Sequence, residues 1–388
     1  MVGKNIQEQH IAVFGESGSG KTVLVSSFYG GALEQSSKKE SSFALIADIT
    51  GQGTRLRQNY LGMKNGARTP QATRFAATQY AFTVQPKVAG SNGSAKKGRL
   101  DALRLVWHDY PGEWFEDDPS SEEEAARRIE TFRALLRSDV AVLLVDGQKL
   151  LDNEGAEDAY FKNLFWGLRD GIRGLKEDLL ADGRLLDKFP RIWIIALSKA
   201  DLHPDMKAAA FRDLVIEKAA IEVDDLRETL ASLVQHPEAL SLGEDYLVLS
   251  SAKFEPGKIL VAESFGLNLL LPAASILPVE RMVAWSEWLE LPWRAVKPLL
   301  SSAEALSLLI AASGPVAKLI GRVPKVGPLL AGLVLPAVNA LIKAGKPKLE
   351  ELHREAIAKH DFLTAILTQF RLDLVSGVER DLFVKSPK

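Results

Sequence analysis

An open, mainly parallel α/β sheet followed by an α-helical carboxy-terminal module is the fold that this 388-residue sequence predicts. Two observations carry the sheet. Short apolar, β-branched runs recur along the first two thirds, and most are apolar without interruption, as strands covered on both faces are. Charged stretches of helical periodicity lie between them, and strands alternating with helices imply parallel pairing. A third observation carries the module. After residue 258 the strand-like runs give way to Leu- and Ala-rich helices broken by Pro and Gly. The expected division is a domain at 1–258 and a helical module at 259–388.

The expected strands, in order, are 10–15, 43–49, 74–84, 103–109, 140–146, 192–198 and 246–252. The run at 74–84 is amphipathic, which suits a position nearer a sheet edge. "SEEEAARRIETFRALLR" (121–137) reads as a helix, with Ser121 as N-cap and acidic residues in its first turn. "PKVAGSNGSAKKGR" (86–99) reads as an exposed loop. A charged helix spans about 347–375; packed back on the sheet as a closing helix, it would make 259–346 an insertion.

Composition narrows the function classes. Charged residues are 25% and apolar residues 46%, ordinary for a soluble globular protein. A net charge of -2 supplies no basic field for a nucleic-acid partner. The absence of cysteine excludes disulfides and thiolate metal sites and fits a cytoplasmic setting.

Four short motifs carry the chemistry. "GESGSGKT" (Gly15–Thr22) follows a strand and opens a helix, the context that makes it a phosphate loop. Backbone amides of Gly15, Ser17, Gly18, Ser19, Gly20 and Val23 would turn toward phosphate oxygens. Lys21 would neutralise the β- and γ-phosphates, and the Thr22 hydroxyl would ligate Mg²⁺. The second motif is Asp109-Tyr110-Pro111-Gly112, at a strand end. Its carboxylate can reach the Mg²⁺ shell, and Gly112 N–H can meet the γ-phosphate, so the segment 109–120 can act as a switch. The third, "SKAD", places Lys199 along a base plane and Asp201 opposite guanine N1–H and N2–H₂, a donor pair adenine lacks. Its first position holds Ser198, where the pattern has Asn or Thr. The fourth, Ser251-Ala252-Lys253, would offer backbone to guanine O6.

In this order the motifs resemble the Ras-like, translation-factor-related class of P-loop GTPases, and the likeness spans about residues 9 to 258. "DYPGEW" and "SKADLH" resemble the YcjX-like family of bacterial stress-associated GTPases. The resemblance implies a Ras-like core with extra helices, GTP/GDP and Mg²⁺ as ligands, and nucleotide-dependent switching in a stress or defence response.

Two positions bear on mechanism. The switch threonine should precede the second core strand; Thr73 is the first choice for the Mg²⁺ and γ-phosphate contact, with Thr69 and Thr54 as alternatives. Glu113 stands where many small GTPases have a water-orienting glutamine. An anion there is a poor ligand for developing phosphate charge, so hydrolysis should be slow and raised by a partner that supplies a cation. Trp114 and Phe115 are read two ways, as anchors for a protein partner or as core. His353 and His360 are read as solvated helix residues.

The uncharged stretches 264–279, 305–317 and 326–342 are shorter than the ~20 residues of a spanning helix. A buried helical subdomain is the first reading. Peripheral contact with an anionic membrane face, helped by flanking Arg322, Lys325, Lys343 and Lys346, is the second, and a partner-protein surface the third. Two other classes of function stay open, an ATP-dependent ATPase or kinase and a scaffold in which nucleotide is structural.

Overall fold

β5 (Val140–Asp146) and β6 (Ile192–Ser198) have every residue buried, because helices cover both faces of the sheet they centre. The computed structural model describes residues 7–37, 43–70, 78–86, 103–115, 119–180, 183–186, 189–288, 344–359 and 362–386. The chain runs β1 (Gln7–Phe14), α1 (Lys21–Ser37), β2 (Phe43–Ala47), α2 (Thr50–Gly66), β3 (Thr78–Pro86) and β4 (Leu103–Asp109). A 3₁₀ turn (Gly112–Phe115) leads to α3 (Glu122–Leu135), β5, α4 (Gly147–Asp152), α5 (Glu157–Gly174), α6 (Lys176–Leu179) and β6. Then come α7 (Ala208–Ala231), β7 (Ser241–Val248), the hairpin β8 (Lys253–Glu255) and β9 (Lys258–Leu260), and α8 (Leu270–Trp288). The described chain closes with α9 (Lys346–Ala358), α10 (Phe362–Glu379) and β10 (Phe383–Val384).

The sheet order is β10-β7-β6-β5-β1-β4-β3-β2. The run β7-β6-β5-β1-β4 is parallel, whereas β3, β2 and β10 join by antiparallel pairing. One face packs Ile11, Val13 and Trp107 against α1, α8, α9 and α10, with Phe370 fully buried. The other packs Phe14 and Trp193 against α3, α5 and α7, with Phe161 and Phe211 at its centre. Residues from both sides of position 258 therefore share one core. The stretch 264–279 contributes Leu267, Leu270 and Leu277 to it, which makes this stretch buried structure. Residues 305–317 and 326–342 lie outside the described residues.

Local chemistry explains most boundaries. Ser121 accepts the Glu124 amide at 3.2 Å, the expected cap of α3. The strand expected at 246–252 instead spans 241–248, and Ser251-Ala252 turn into the β8–β9 hairpin. Its first half reads as polar because Asp245, fully buried, is held by Arg281 of α8 at 2.6 and 2.7 Å. Leaving such a charge unpaired costs ~3–5 kcal/mol, so this pair pins α8 to the sheet edge.

The helix expected at 347–375 is two helices, α9 and α10, packed on each other. His353 corrects the solvated reading. It is half-buried, and its Nδ1 lies 3.0 Å from Ala365 O and 3.1 Å from Thr368 Oγ1 across that contact. His360 lies outside the described residues.

Candidate nucleotide-binding site

Five parallel strands end along one edge of the sheet, and β1 passes there into the loop Gly15–Gly20. Gly18 and Gly20 have φ of +81° and +92°, where a side chain would strain the backbone. The loop curls around Lys21, whose Nζ donates to Gly15 O at 2.6 Å and Glu16 O at 2.9 Å. That buried ammonium sits at the positive end of a 17-residue helix, so amides and charge converge where an anion would bind.

Two neighbouring strand ends hold the loop. Gly15 N–H donates to Tyr110 Oη at 3.0 Å, and the Tyr110 ring lies 5.1 Å below the Lys21 ammonium. From β6, the Ser198 hydroxyl lies 3.0 Å from Ser19 O and 3.1 Å from Val145 O. The serine that departs from the Asn/Thr pattern thus anchors the phosphate loop to the centre of the sheet. Gly112 packs directly on the loop: a Cβ there would lie 2.4 Å from Ser17 N and 2.5 Å from Glu16 C. Only glycine permits that approach.

Asp109 ends β4 opposite Thr78 of β3 and is 2% exposed. Neither of its carboxylate oxygens makes a hydrogen bond of full geometry, although the Tyr110 amide and the Thr22 hydroxyl lie near enough to favour the charge. Burial pushes its pKa up to about 6, against the opposing pull of the nearby Lys21 ammonium, the Tyr110 amide and the Thr22 hydroxyl. A buried carboxylate so weakly bonded, beside a threonine hydroxyl at a phosphate loop, is the donor set that a hard divalent cation takes. Alongside, burial and the neighbouring His10 lower His108 to about 4, so it stays neutral at physiological pH.

At the other end, Lys199 has the left-handed φ of 51°, and its Nζ pairs with Asp146 Oδ2 at 2.8 Å. Asp201 is half-buried, and its Oδ1 lies 2.6 Å from the Ser250 hydroxyl. Ala252 is buried against Tyr60 and Met63 of α2, with Val23 packed on the same cluster. Lys253 is exposed and pairs with Glu255 at 3.3 Å.

The sheet edge therefore gathers Gly15–Val23, Asp109, Gly112, Lys199, Asp201 and Ser251–Lys253. Thr73 lies outside the described residues, whereas Thr69 is exposed just beyond α2. Thr54 is exposed on helix α2 itself. Glu113 lies in the 3₁₀ turn. Trp114 corrects the partner-anchor reading: it is 8% exposed, belongs to the α3–α5 core, and carries Arg128 over its ring at 5.7 Å. Motif reading missed Tyr110, Asp146 and Ser250. Asp146, at the tip of an all-apolar strand, carried the clearest signal.

The family model described as Double-GTPase 2 matches residues 9–239, more than half of the chain. The chain belongs to the Double-GTPase 2 family. It is accordingly a GTP-binding, GTP-hydrolysing protein, and the YcjX-like resemblance of "DYPGEW" points the same way. No curated protein matches this GTPase. Among solved structures it is similar to a signal recognition particle receptor SRb-GTP/SRX complex from Chaetomium thermophilum, at 19% identity and TM-score 0.32, covering 64% of this chain and 93% of that one. It is also similar to a protein described as nucleolar GTP-binding protein 1 from Plasmodium falciparum, at 14% identity and TM-score 0.30, covering 78% and 97%. The cytosolic domain of the T. maritima FeoB iron transporter in GDP form matches at 12% identity and TM-score 0.26, covering 87% and 98%. Among the described residues of the GTPase, no helix is long and apolar enough to cross a membrane.

Proposed function

We propose that this GTPase is a magnesium-dependent switch that hydrolyses GTP slowly and passes its nucleotide state to a protein partner. The observation that carries the metal requirement is the buried Asp109 carboxylate, which makes no hydrogen bond of full geometry and lies beside the Thr22 hydroxyl. Thr22 and Asp109 would hold Mg²⁺, which supplies charge neutralisation of the β- and γ-phosphates. Lys21 and the loop amides bind the same phosphates. Gly112, apposed to the loop, is placed to sense the γ-phosphate, and Thr73 is the proposed second switch contact. Asp201, oriented by Ser250, accepts from the guanine edge, with Lys199 along the base and Ser251–Lys253 behind it.

Glu113 makes the intrinsic rate slow, because a second anion beside the γ-phosphate opposes the charge that develops there. The partner would engage the switch segment 109–120 or the helical module and supply a cation. A bacterial stress or defence setting is the role that the YcjX-like resemblance suggests, and peripheral contact at the inner membrane face is the reading that the uncharged carboxy-terminal stretches and their flanking basic residues suggest.

Single-turnover GTP hydrolysis tests this reading. The purified protein should turn over on the order of 10⁻³ s⁻¹ or slower, chelation of Mg²⁺ should stop it, and Glu113→Gln should speed it several-fold. Unstimulated turnover near 1 s⁻¹, or a Glu113→Gln rate equal to wild type, would remove Glu113 from the mechanism.

A further inference from the structure

On the α1 face of the sheet, away from the nucleotide edge, a cavity of about 380 Å³ opens between α1, β2, the segment Ser264–Pro272 and α10. That volume lies within the ~300–1,000 Å³ of small-molecule sites. Phe28, Phe43, Phe265 and Phe370 contribute to its walls, beside polar side chains such as Asn268 and Gln369. Phe28 of α1 and Phe370 of α10 are buried, and the Phe43 and Phe370 rings meet edge to face at 5.4 Å and 86°.

One carboxylate lines this chamber without a counter-charge, and one serine hydroxyl lies buried behind its wall. Ser27 is 2% exposed, and its hydroxyl has no hydrogen-bond partner. Asp373 accepts one bond, from Gln369 Nε2 at 2.9 Å, and among the described residues no cation pairs with it. Burial accordingly pushes its pKa up to about 6, with only the Gln369 bond opposing. Desolvating a carboxylate without a counter-charge is costly, and the site keeps it. The space is open toward α1. A Cβ added to Gly31, in the middle of α1, would meet nothing within 4 Å.

We propose that this cavity binds a small organic cation, an ammonium or guanidinium group carried on an apolar body. The charge would pair with Asp373, and the body would lie among the Phe rings, whose faces attract cations. The charge preference matches the one carboxylate of the cavity that has no counter-ion among the described residues.

The cavity is wired to the nucleotide edge through two elements. α1 runs directly from Lys21 into the wall that carries Ser27 and Gly31. Phe265, also in the wall, exchanges two backbone hydrogen bonds with Ser250, each 3.0 Å, and Ser250 orients Asp201. Occupancy of one site should therefore alter affinity at the other, reciprocally. Binding at the cavity stands without the nucleotide reading; only this coupling rests on it.

The test is ligand-observed NMR on the full chain with a panel of 2-phenylethylamine, benzamidine, agmatine, choline and spermidine, and 2-phenylethanol as the neutral isostere. At least one amine should bind at least 10-fold more tightly than the alcohol. Asp373→Asn, which keeps shape and removes charge, should weaken it at least 10-fold. Gly31→Leu, which improves helix propensity while filling the space, should abolish it. The site is refuted if no amine binds, or if the bound amine is retained by either variant. A shift in amine affinity on adding GDP supports the coupling, and an unchanged affinity overturns the coupling alone.

Discussion

Asp109 and Asp373 are both carboxylates that burial pushes up to about 6, yet their surroundings assign them different work. Asp109 has a lysine and a threonine hydroxyl beside it at the mouth of a phosphate loop. Asp373 has one amide donor and a cavity. The stability consequence at Asp373 has a definite sign. Its folded pKa stands above its ordinary value of 3.8, so between about pH 4 and 6 the folded chain binds more protons than the unfolded one. Stability from this group is therefore lost as pH rises through that window, and the full penalty applies above it. At ~1.4 kcal/mol per pKa unit, reduced for its partial exposure, Asp373→Asn should stabilise the protein by about 1–2 kcal/mol at pH 7.5. Urea unfolding would show that gain shrinking to nothing near pH 4; a variant no more stable at pH 7.5 contradicts the burial assignment. At this scale the sequence declared its motif residues plainly, since Lys21 opens the helix after β1, Asp109 ends β4 and Asp201 follows β6, each in a recognisable pattern. It could not declare Ser198 or Tyr110. Their hydroxyls act on the loop through contacts 179 and 95 residues apart in the chain, and no local pattern encodes those.

Elements were legible in proportion to how uniformly they are buried. β5 and β6 fall on the expected residues because two covered faces leave a nearly continuous apolar run in each, and β4 does so although Arg104 and His108 interrupt it. β7 was displaced because a tertiary ion pair lets Asp245 occupy the core. α2 was missed because its apolar face (Leu56, Tyr60, Met63) is thin and four glycines dilute its propensity. Its packing needs one of the neighbouring glycines: a Cβ on Gly30 of α1 would lie 2.1 Å from the Tyr60 ring.

The start of α7 shows how a cap can come from far away. Lys207 gives it no side-chain cap. Instead Ala208 N–H donates to Asp381 O at 2.8 Å and Ala209 N–H to Asp381 Oδ1 at 3.0 Å. Asp381 itself has a φ of 52°, a conformation Asn shares with little strain. Asp381→Ala should therefore cost about 1–2 kcal/mol, and Asp381→Asn only a few tenths. Equal denaturation midpoints for the two variants would mean that the cap contributes nothing.

Over the whole molecule, a single eight-stranded sheet organises both the nucleotide edge and the carboxy-terminal helices. β10 pairs with β7 through Phe383 and Val384, so the last described residues cover an edge that would otherwise be open. Composition alone placed a boundary near residue 258 because the helices that follow are Leu- and Ala-rich. It could not show that α8, α9 and α10 bury those residues on the same sheet face as α1. That shared face is what brings the cavity at Asp373 within reach of the Ser250–Asp201 pair, the proposed reader of the base.

Guanine recognition at this edge is the claim on which the rest depends, and calorimetric titration tests it most directly. With Mg²⁺ present, GDP should bind the purified chain at least 100-fold more tightly than ADP, because adenine lacks the donor pair that Asp201 accepts. Asp201→Asn should erase most of that preference. Equal affinities for GDP and ADP, or a preference that survives in Asp201→Asn, would contradict it.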